Sequence, residues 1–398
     1  MGLSIKFLEC NGLCASCYET KIRAEHPPRG YNIEAVRKTF REESLKIKEE
    51  DRKKRNTPCI HGGEPLLIKI EDLEGLITDS VELYGKSGIQ TNGLLIENEH
   101  IELFKKYGTH IGVSIDGDTA GLNFGRWNAK LLGQKAIETG TKLTMDNIEK
   151  CVKAGLHVSA IVILRKYNAG TPERLNQLKQ FLFRLANLGV TNVRMNQVIV
   201  YDKDLVAREQ LTEVELGNAF TFLGNICFDN PNFEWRPFRD VVELLKGNYN
   251  QTCVFSECDI WRTNAEQPID AWGNVGNCLK GGGSIDGLQV LAADRYSNER
   301  YVVLPQIHQT EGGCKGCEFW VICKGGCPGE GIDNDWRNRS RFCGGLKALY
   351  KFVAHRLRGI EPGRKLSIDK TPDSQPGPVG GHGDSPHGDH TDEGKGKR

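Results

Sequence analysis

Cys10, Cys14 and Cys17 stand at the spacing C-x3-C-x2-C, directly after the short apolar run "LSIKFLEC". Thiolates favour zinc and iron–sulfur clusters, and a structural zinc site asks for four ligands. No fourth Cys or His lies within this loop. Three thiolates on a cubane 4Fe–4S cluster leave one iron without a protein ligand, and an open iron can bind a small molecule and act on it. A three-cysteine zinc site completed by a distant residue is the reading that spacing alone leaves open beside it.

A second set lies far along the chain: Cys253, Cys258, Cys278, Cys314, Cys317, Cys323, Cys327 and Cys343. Cys258 is followed by fourteen residues, Gly273, four residues and Cys278; then come C-x2-C-x5-C-x3-C, fifteen residues and Cys343. Eight thiolates suffice for two four-cysteine iron–sulfur sites, and two zinc ribbons are the competing reading. Cys59, Cys151 and Cys227 complete the fourteen and receive no role; Cys59 and Cys151 are read as packed in a strand and a helix.

Other side chains must place these thiols. Six β-rich runs, "LSIKFLEC", "TPCIH", "SGIQTNG", "HIGVSIDG", "VSAIVILR" and "NVRMNQVIV", alternate with stretches of helical period. In "PERLNQLKQFLFRLANLG" the leucines at 175, 178, 182 and 185 recur three or four apart, the mark of a one-sided helix. Such alternation predicts βαβ units, a parallel sheet and an open or partial α/β barrel whose ligands sit at the carboxyl ends of the strands.

Four regions follow: a partial (β/α)6 barrel over residues 1–200, a bridging region 201–250, a cysteine-rich domain 251–357 and a tail 358–398. Residues 32–56 include nine basic and six acidic side chains and read as a solvated helix face, stopped by Thr57-Pro58. From Gln251 the aliphatic pattern thins, so that segment is expected to fold around its metal. From Thr371 the chain holds seven Gly, four Pro and the single aliphatic residue Val379, a composition that predicts disorder. His382, His387 and His390 in that tail could take a divalent metal, but a solubilising tail explains them as well.

The 398 residues balance 53 Lys and Arg against 52 Asp and Glu, which argues against a surface made for nucleic acid or anionic lipid. No apolar run is long enough to span a bilayer, and no secretory signal opens the chain, so a cytoplasmic location is expected.

Around the first three cysteines the sequence resembles the radical S-adenosylmethionine (radical SAM) enzymes over roughly residues 3–200. Tyr18 follows the third cysteine, where that family has an aromatic residue near the adenine. "GGEP" (Gly62, Gly63, Glu64, Pro65) follows the second strand, where the family holds the methionine amino group with backbone groups. "QTNG", with Thr91 and Asn92, closes the third strand; "SIDG", with Ser114 and Asp116, closes the fourth. Arg165 ends the fifth, a position from which such enzymes reach the cosubstrate's carboxylate.

The second cysteine set resembles the SPASM extension of the same enzymes. That resemblance implies three 4Fe–4S clusters and S-adenosylmethionine as cofactors. Cys10, Cys14 and Cys17 would hold the cleaving cluster. Cys253, Cys258, Cys278 and Cys327 would hold the nearer auxiliary cluster, and Cys314, Cys317, Cys323 and Cys343 the outer one.

It further implies a precursor peptide or protein as substrate and a flavodoxin- or ferredoxin-type electron donor. Only nine residues precede Cys10, so a separate leader-binding protein, or recognition by the barrel and residues 201–250, is expected. Members that oxidise sulfatases carry Asp directly after the cysteine matching Cys278, where this chain has Leu279. That weighs against a sulfatase-maturing role. The same residues also admit a radical SAM enzyme acting on a small metabolite, or a non-enzymatic iron–sulfur electron carrier. They single out no general base.

Overall fold

The computed structural model describes residues 3–15, 17, 19, 23, 30–54, 57–127, 129–200, 202–248, 267–276, 299–335 and 337–360. The expectations for Tyr18, Cys253, Cys258, Cys278 and the C-terminal tail beyond Ile360 fall on residues outside these, while 358–360, expected in that tail, close a helix.

Eight parallel strands form one sheet: β1 (Leu3–Phe7), β2 (Cys59–Gly62), β3 (Gly88–Thr91), β4 (His110–Ser114), β5 (Val158–Leu164), β6 (Asn192–Gln197), β7 (Glu234–Arg236) and β8 (Gln267–Asp270). Their order is β7-β6-β5-β4-β3-β2-β1-β8. The first six are those the sequence pattern predicts, each shorter than its apolar run. β1 is buried at every position, as befits a strand covered on both faces, whereas β5 alternates buried and half-buried residues.

β7 and β8 are findings the pattern did not give. Both are edge strands. Three residues with two charges, "EWR", and four with an internal proline, "QPID", make poor central strands but acceptable borders. β8 comes from the cysteine-rich stretch and pairs with β1, Ile269 opposite Ile5. That stretch therefore does not fold around metal alone; part of it borders the barrel sheet.

Helices cover the sheet as their apolar spacing requires. In Pro172–Asn187 the four leucines are buried, the helix starts with proline, and Thr171 accepts the Arg174 N–H as its cap. The charged segment expected as one helix is two, Ile33–Leu45 and Glu49–Lys54. Arg52 bridges the break, donating to the Ser44 and Ile47 carbonyls at 3.1 and 2.7 Å and so satisfying the end of the first helix. Val36, Phe40 and Ser44 are buried, while Arg37 and Arg41 clasp the buried Asp79.

Downstream, Glu213–Asp229 packs on the final helix, Cys343–Ile360. Gly224 permits this approach, because a Cβ there would lie 2.4 Å from the Phe352 ring. No helix among the described residues is long and apolar enough to cross a membrane.

Candidate active site

At the carboxyl ends of the strands a cleft of about 290 Å³ opens. Cys10, Cys14 and Cys17 line it together with Gly62, Gly63, Thr91, Asn92, Ser114 and Asp116. Residues far apart in the chain thus share one wall, because parallel strands present successive loops on the same side of a sheet.

The thiol loop is held by backbone donors. The Gly12 N–H points at Cys10 Sγ (3.3 Å) and the Trp127 N–H at Cys14 Sγ (3.4 Å), while the Ala15 N–H donates to the Gly125 carbonyl (2.8 Å). Arg23 reaches Cys17 Sγ at 3.9 Å and is paired with the buried Glu19, which also meets Lys6 at 3.0 Å. Burial pushes the Cys10 thiol up to about 11, against the opposing pull of the Gly12 amide and the Arg23 guanidinium.

"GGEP" continues the β1 ladder. The Gly63 and Glu64 N–H groups donate to the Phe7 and Glu9 carbonyls, both at 2.7 Å. A Cβ on Gly63 would lie 2.0 Å from the Glu9 oxygen, so no larger residue fits there without moving backbone. Glu64 faces inward instead of lining the cleft. Its carboxylate accepts the Leu66 N–H, the Thr91 hydroxyl and the Asn92 N–H at 3.1, 2.7 and 2.7 Å. Burial raises its pKa, and the Asn92 and Thr91 donors work against that rise. Glu64 is therefore a brace between the β2 and β3 loops. Asn92 passes the brace on, donating to Asn11 in the thiol loop at 2.7 Å.

The "SIDG" loop carries the main buried charge. Asp116 accepts from Arg126 at 2.8 and 3.2 Å, from Arg165 at 2.8 Å and from the Ile163 N–H at 2.8 Å. Burial alone would raise its pKa, but Arg126 and Arg165 outweigh that and hold it below the usual carboxylate range. Arg165, read as reaching a ligand's carboxylate, is 0 % exposed and stands behind the cleft wall, held by Asp116 and by Glu209 at 3.2 Å. The arginines that do line the cleft are Arg23 and Arg126. Sequence reasoning missed both, since neither belongs to a motif; only the pairing of Arg126 with Asp116 marks it.

The far wall was missed too. Asn196, Gln197, Val198 and Ile199 at the end of β6 line the cleft beside Glu330, which comes from the "CPGEG" of the second cysteine set. Gln197 donates to Glu330 at 2.9 Å, and Ser340 donates to its other oxygen at 3.1 Å. Asn196 Oδ1 and Gln197 Oε1 are buried without a hydrogen-bond partner among the described residues, which suits a ligand that brings donors.

Of the second set, Cys314, Cys317, Cys323 and Cys343 ring a hollow of about 10 Å³ walled by Phe319, Trp320 and Leu346. Burial pushes Cys314 to about 11 and Cys323 to about 12, the latter opposed by a hydrogen bond from Tyr350. Cys327 is buried and does not line this hollow. Among the described residues no group of three or more His, Cys, Asp or Glu is arranged to hold a single metal ion. Cys151 and Cys227 are buried in the core, and Cys59 is half-buried on β2.

Residues 5–178 match the family model described as the radical SAM superfamily. The chain carries a radical SAM domain. The matched span contains the thiol loop and every cleft motif from "GGEP" to "SIDG".

Among solved structures, this chain is similar to anSMEcpe with bound AdoMet and a Kp18Cys peptide, at a TM-score of 0.69 and 16% identity over 90% of this chain and 99% of that one. It is also similar to SuiB of Streptococcus suis, at a TM-score of 0.56 and 15% identity over 85% of this chain and 74% of that one. At such identities the likeness is one of fold.

An uncharacterized protein of Archaeoglobus fulgidus is 36% identical over 107 residues, covering 27% of this chain and 23% of its own length. An uncharacterized protein of Synechocystis is 28% identical over 132 residues, covering 29% and 30%. The chain thus spans under a third of the length of these relatives.

Proposed function

We propose that the protein is an enzyme that uses a 5′-deoxyadenosyl radical to modify a side chain of a ribosomally made peptide or protein. One observation carries the reading: three thiols at C-x3-C-x2-C spacing share a single cleft with the "GGEP", "QTNG" and "SIDG" loops of the radical SAM domain. The donor set fits an iron–sulfur cluster, since three thiols line the cleft and the two arginines beside them offset thiolate charge. When bound, such a cluster supplies the electron that splits a carbon–sulfur bond of S-adenosylmethionine.

In this reading Cys10, Cys14 and Cys17 hold that cluster, and the Gly12 and Trp127 amides steady two of the three sulfurs. Gly62 and Gly63 bring bare backbone to the cosubstrate, while Glu64 fixes the loops that carry them. Thr91, Asn92, Ser114 and Asp116 form the same wall, and Arg126 offers a guanidinium there for an anionic group. Asn196 and Gln197 supply acceptors on the opposite side.

The second set, with Cys253, Cys258, Cys278 and Cys327 as one site and Cys314, Cys317, Cys323 and Cys343 as the other, holds two auxiliary clusters. A peptide substrate is supported by fold likeness to anSMEcpe and SuiB, both solved with peptides. Leu279 after Cys278 favours peptide maturation over sulfatase maturation. An electron donor of flavodoxin or ferredoxin type completes the proposed partners.

The test is anaerobic reconstitution with iron and sulfide, then incubation with S-adenosylmethionine and dithionite. Formation of 5′-deoxyadenosine by the wild type and none by Cys14→Ala supports the reading. Zinc in the thiol loop, or equal product from both proteins, sinks it.

A further inference from the structure

The hollow ringed by Cys314, Cys317, Cys323 and Cys343 receives two side-chain donors. Tyr350, fully buried on the last helix, gives its hydroxyl hydrogen bond to the Cys323 sulfur. Its ring is tilted against Phe319 with centroids 5.4 Å apart, which leaves the hydroxyl little freedom to turn elsewhere. Arg339 Nη1 lies 3.5 Å from Cys343 Sγ. The rest of the wall is Phe319, Trp320, Gly325 and Leu346 with Ser340 and Lys347, and the hollow is narrow, so these donors act where little water screens them. A buried tyrosine needs some partner for its hydroxyl, but a core role alone would be met by any carbonyl; here the partner is a thiol of the ring.

Hydrogen bonds to cysteine sulfurs draw electron density from an iron–sulfur cluster and favour its reduced form. We propose, on the reading that these four thiols hold a cluster, that Tyr350 and Arg339 raise its reduction potential and thereby make it an electron acceptor. Both are positioning residues. They act through Cys323 and Cys343, and neither lines the cleft.

The experiment is a redox titration of the reconstituted full chain followed by electron paramagnetic resonance, with iron and sulfide measured on each sample. Cys317→Ala identifies the transition that belongs to the hollow. Tyr350→Phe keeps the ring and removes only the O–H. It is expected to retain wild-type iron while that transition moves to a more negative potential and the others stay in place. Arg339→Gln should shift it the same way, and Arg339→Lys, which keeps the charge, should shift it less.

A transition at the wild-type potential in both Tyr350→Phe and Arg339→Gln overturns the proposal. If Tyr350→Phe loses iron, Arg339→Gln decides: a lowered potential sustains the proposal and an unmoved one ends it. Should Cys317→Ala change neither iron content nor spectrum, the cluster reading of the second set fails first, and the proposal with it.

Discussion

Cys10, Cys14 and Cys17 share a cleft of about 290 Å³ with bare glycine backbone, two arginines and an amide wall, whereas Cys314, Cys317, Cys323 and Cys343 close on about 10 Å³ among mostly apolar side chains, with Ser340 and Lys347 beside them. Both regions set buried thiols at short spacing. What differs is room and polarity. The first leaves space for a polar ligand beside the sulfurs, and the second leaves none. A group that must meet a substrate belongs in the first, and one that only stores an electron or holds the fold together suits the second. Glu330 joins them, since it is carried by the second cysteine segment and stands in the wall of the first site against Gln197.

The sharpest way to break this contrast is to empty the open site. Changing Cys10, Cys14 and Cys17 together to Ala should abolish 5′-deoxyadenosine formation and remove about a third of about twelve irons, three cubanes at four each. Iron analysis and product chromatography check it; full iron retention would show that the loop holds no cluster.

Emptying the closed site should act differently. Cys317→Ala should still yield 5′-deoxyadenosine, because the cleft motifs remain, but should lose peptide modification. Circular dichroism must accompany the assay, since a cluster bound there would contribute to folding. Undiminished peptide modification by a folded variant would remove any necessary role for the outer site.

Asp116→Asn tests the charge in the wall of the open cleft. It leaves Arg126 and Arg165 buried beside a neutral amide and should cost about 3–5 kcal/mol, the usual loss when a buried pair is broken from one side. A thermal or denaturant midpoint close to wild type would show that Glu209 alone satisfies Arg165.

The smallest effect concerns pH. His61, on β2 just before the glycines, has its pKa lowered to about 3 by burial and by Lys6, from 6.5. The fold therefore favours neutral His61. Its contribution is fully present above about 6.5 and declines as pH falls toward 3. His61→Gln should flatten the loss of stability over that window, measured as the melting temperature against pH. Identical slopes for the two proteins would show that His61 has no part in it.

Much of the fold was legible because its signals are local. Leu175, Leu178, Leu182 and Leu185 fix one helix face whatever lies beneath, and β1 to β6 announce themselves as β-branched runs. β7 and β8 did not, for a border strand of three or four residues carries charge or proline and gains its place only from the neighbour it pairs with. The same divide runs through the site. "GGEP" is readable because its glycines answer a backbone approach set within a few residues of the strand end. Glu64 as a brace and Arg165 as a buried partner of Asp116 are not, since the direction of a side chain depends on what surrounds it.

By itself, then, the sequence determined the thiol spacings, the alternation of strand and helix, and the loops that must gather at one end of a parallel sheet. Those follow from chain geometry: side-chain period, turn chemistry and the one-sided placement of strand ends. Only the tertiary structure decided that Arg23 and Arg126 face the cleft while Arg165 backs it, and that Glu330 crosses from the second cysteine set to Gln197. The physical reason is that a buried charge goes where its partner is, and partners as far apart in sequence as Asp116 and Arg165, or Gln197 and Glu330, meet only once the sheet has brought their strands and loops together.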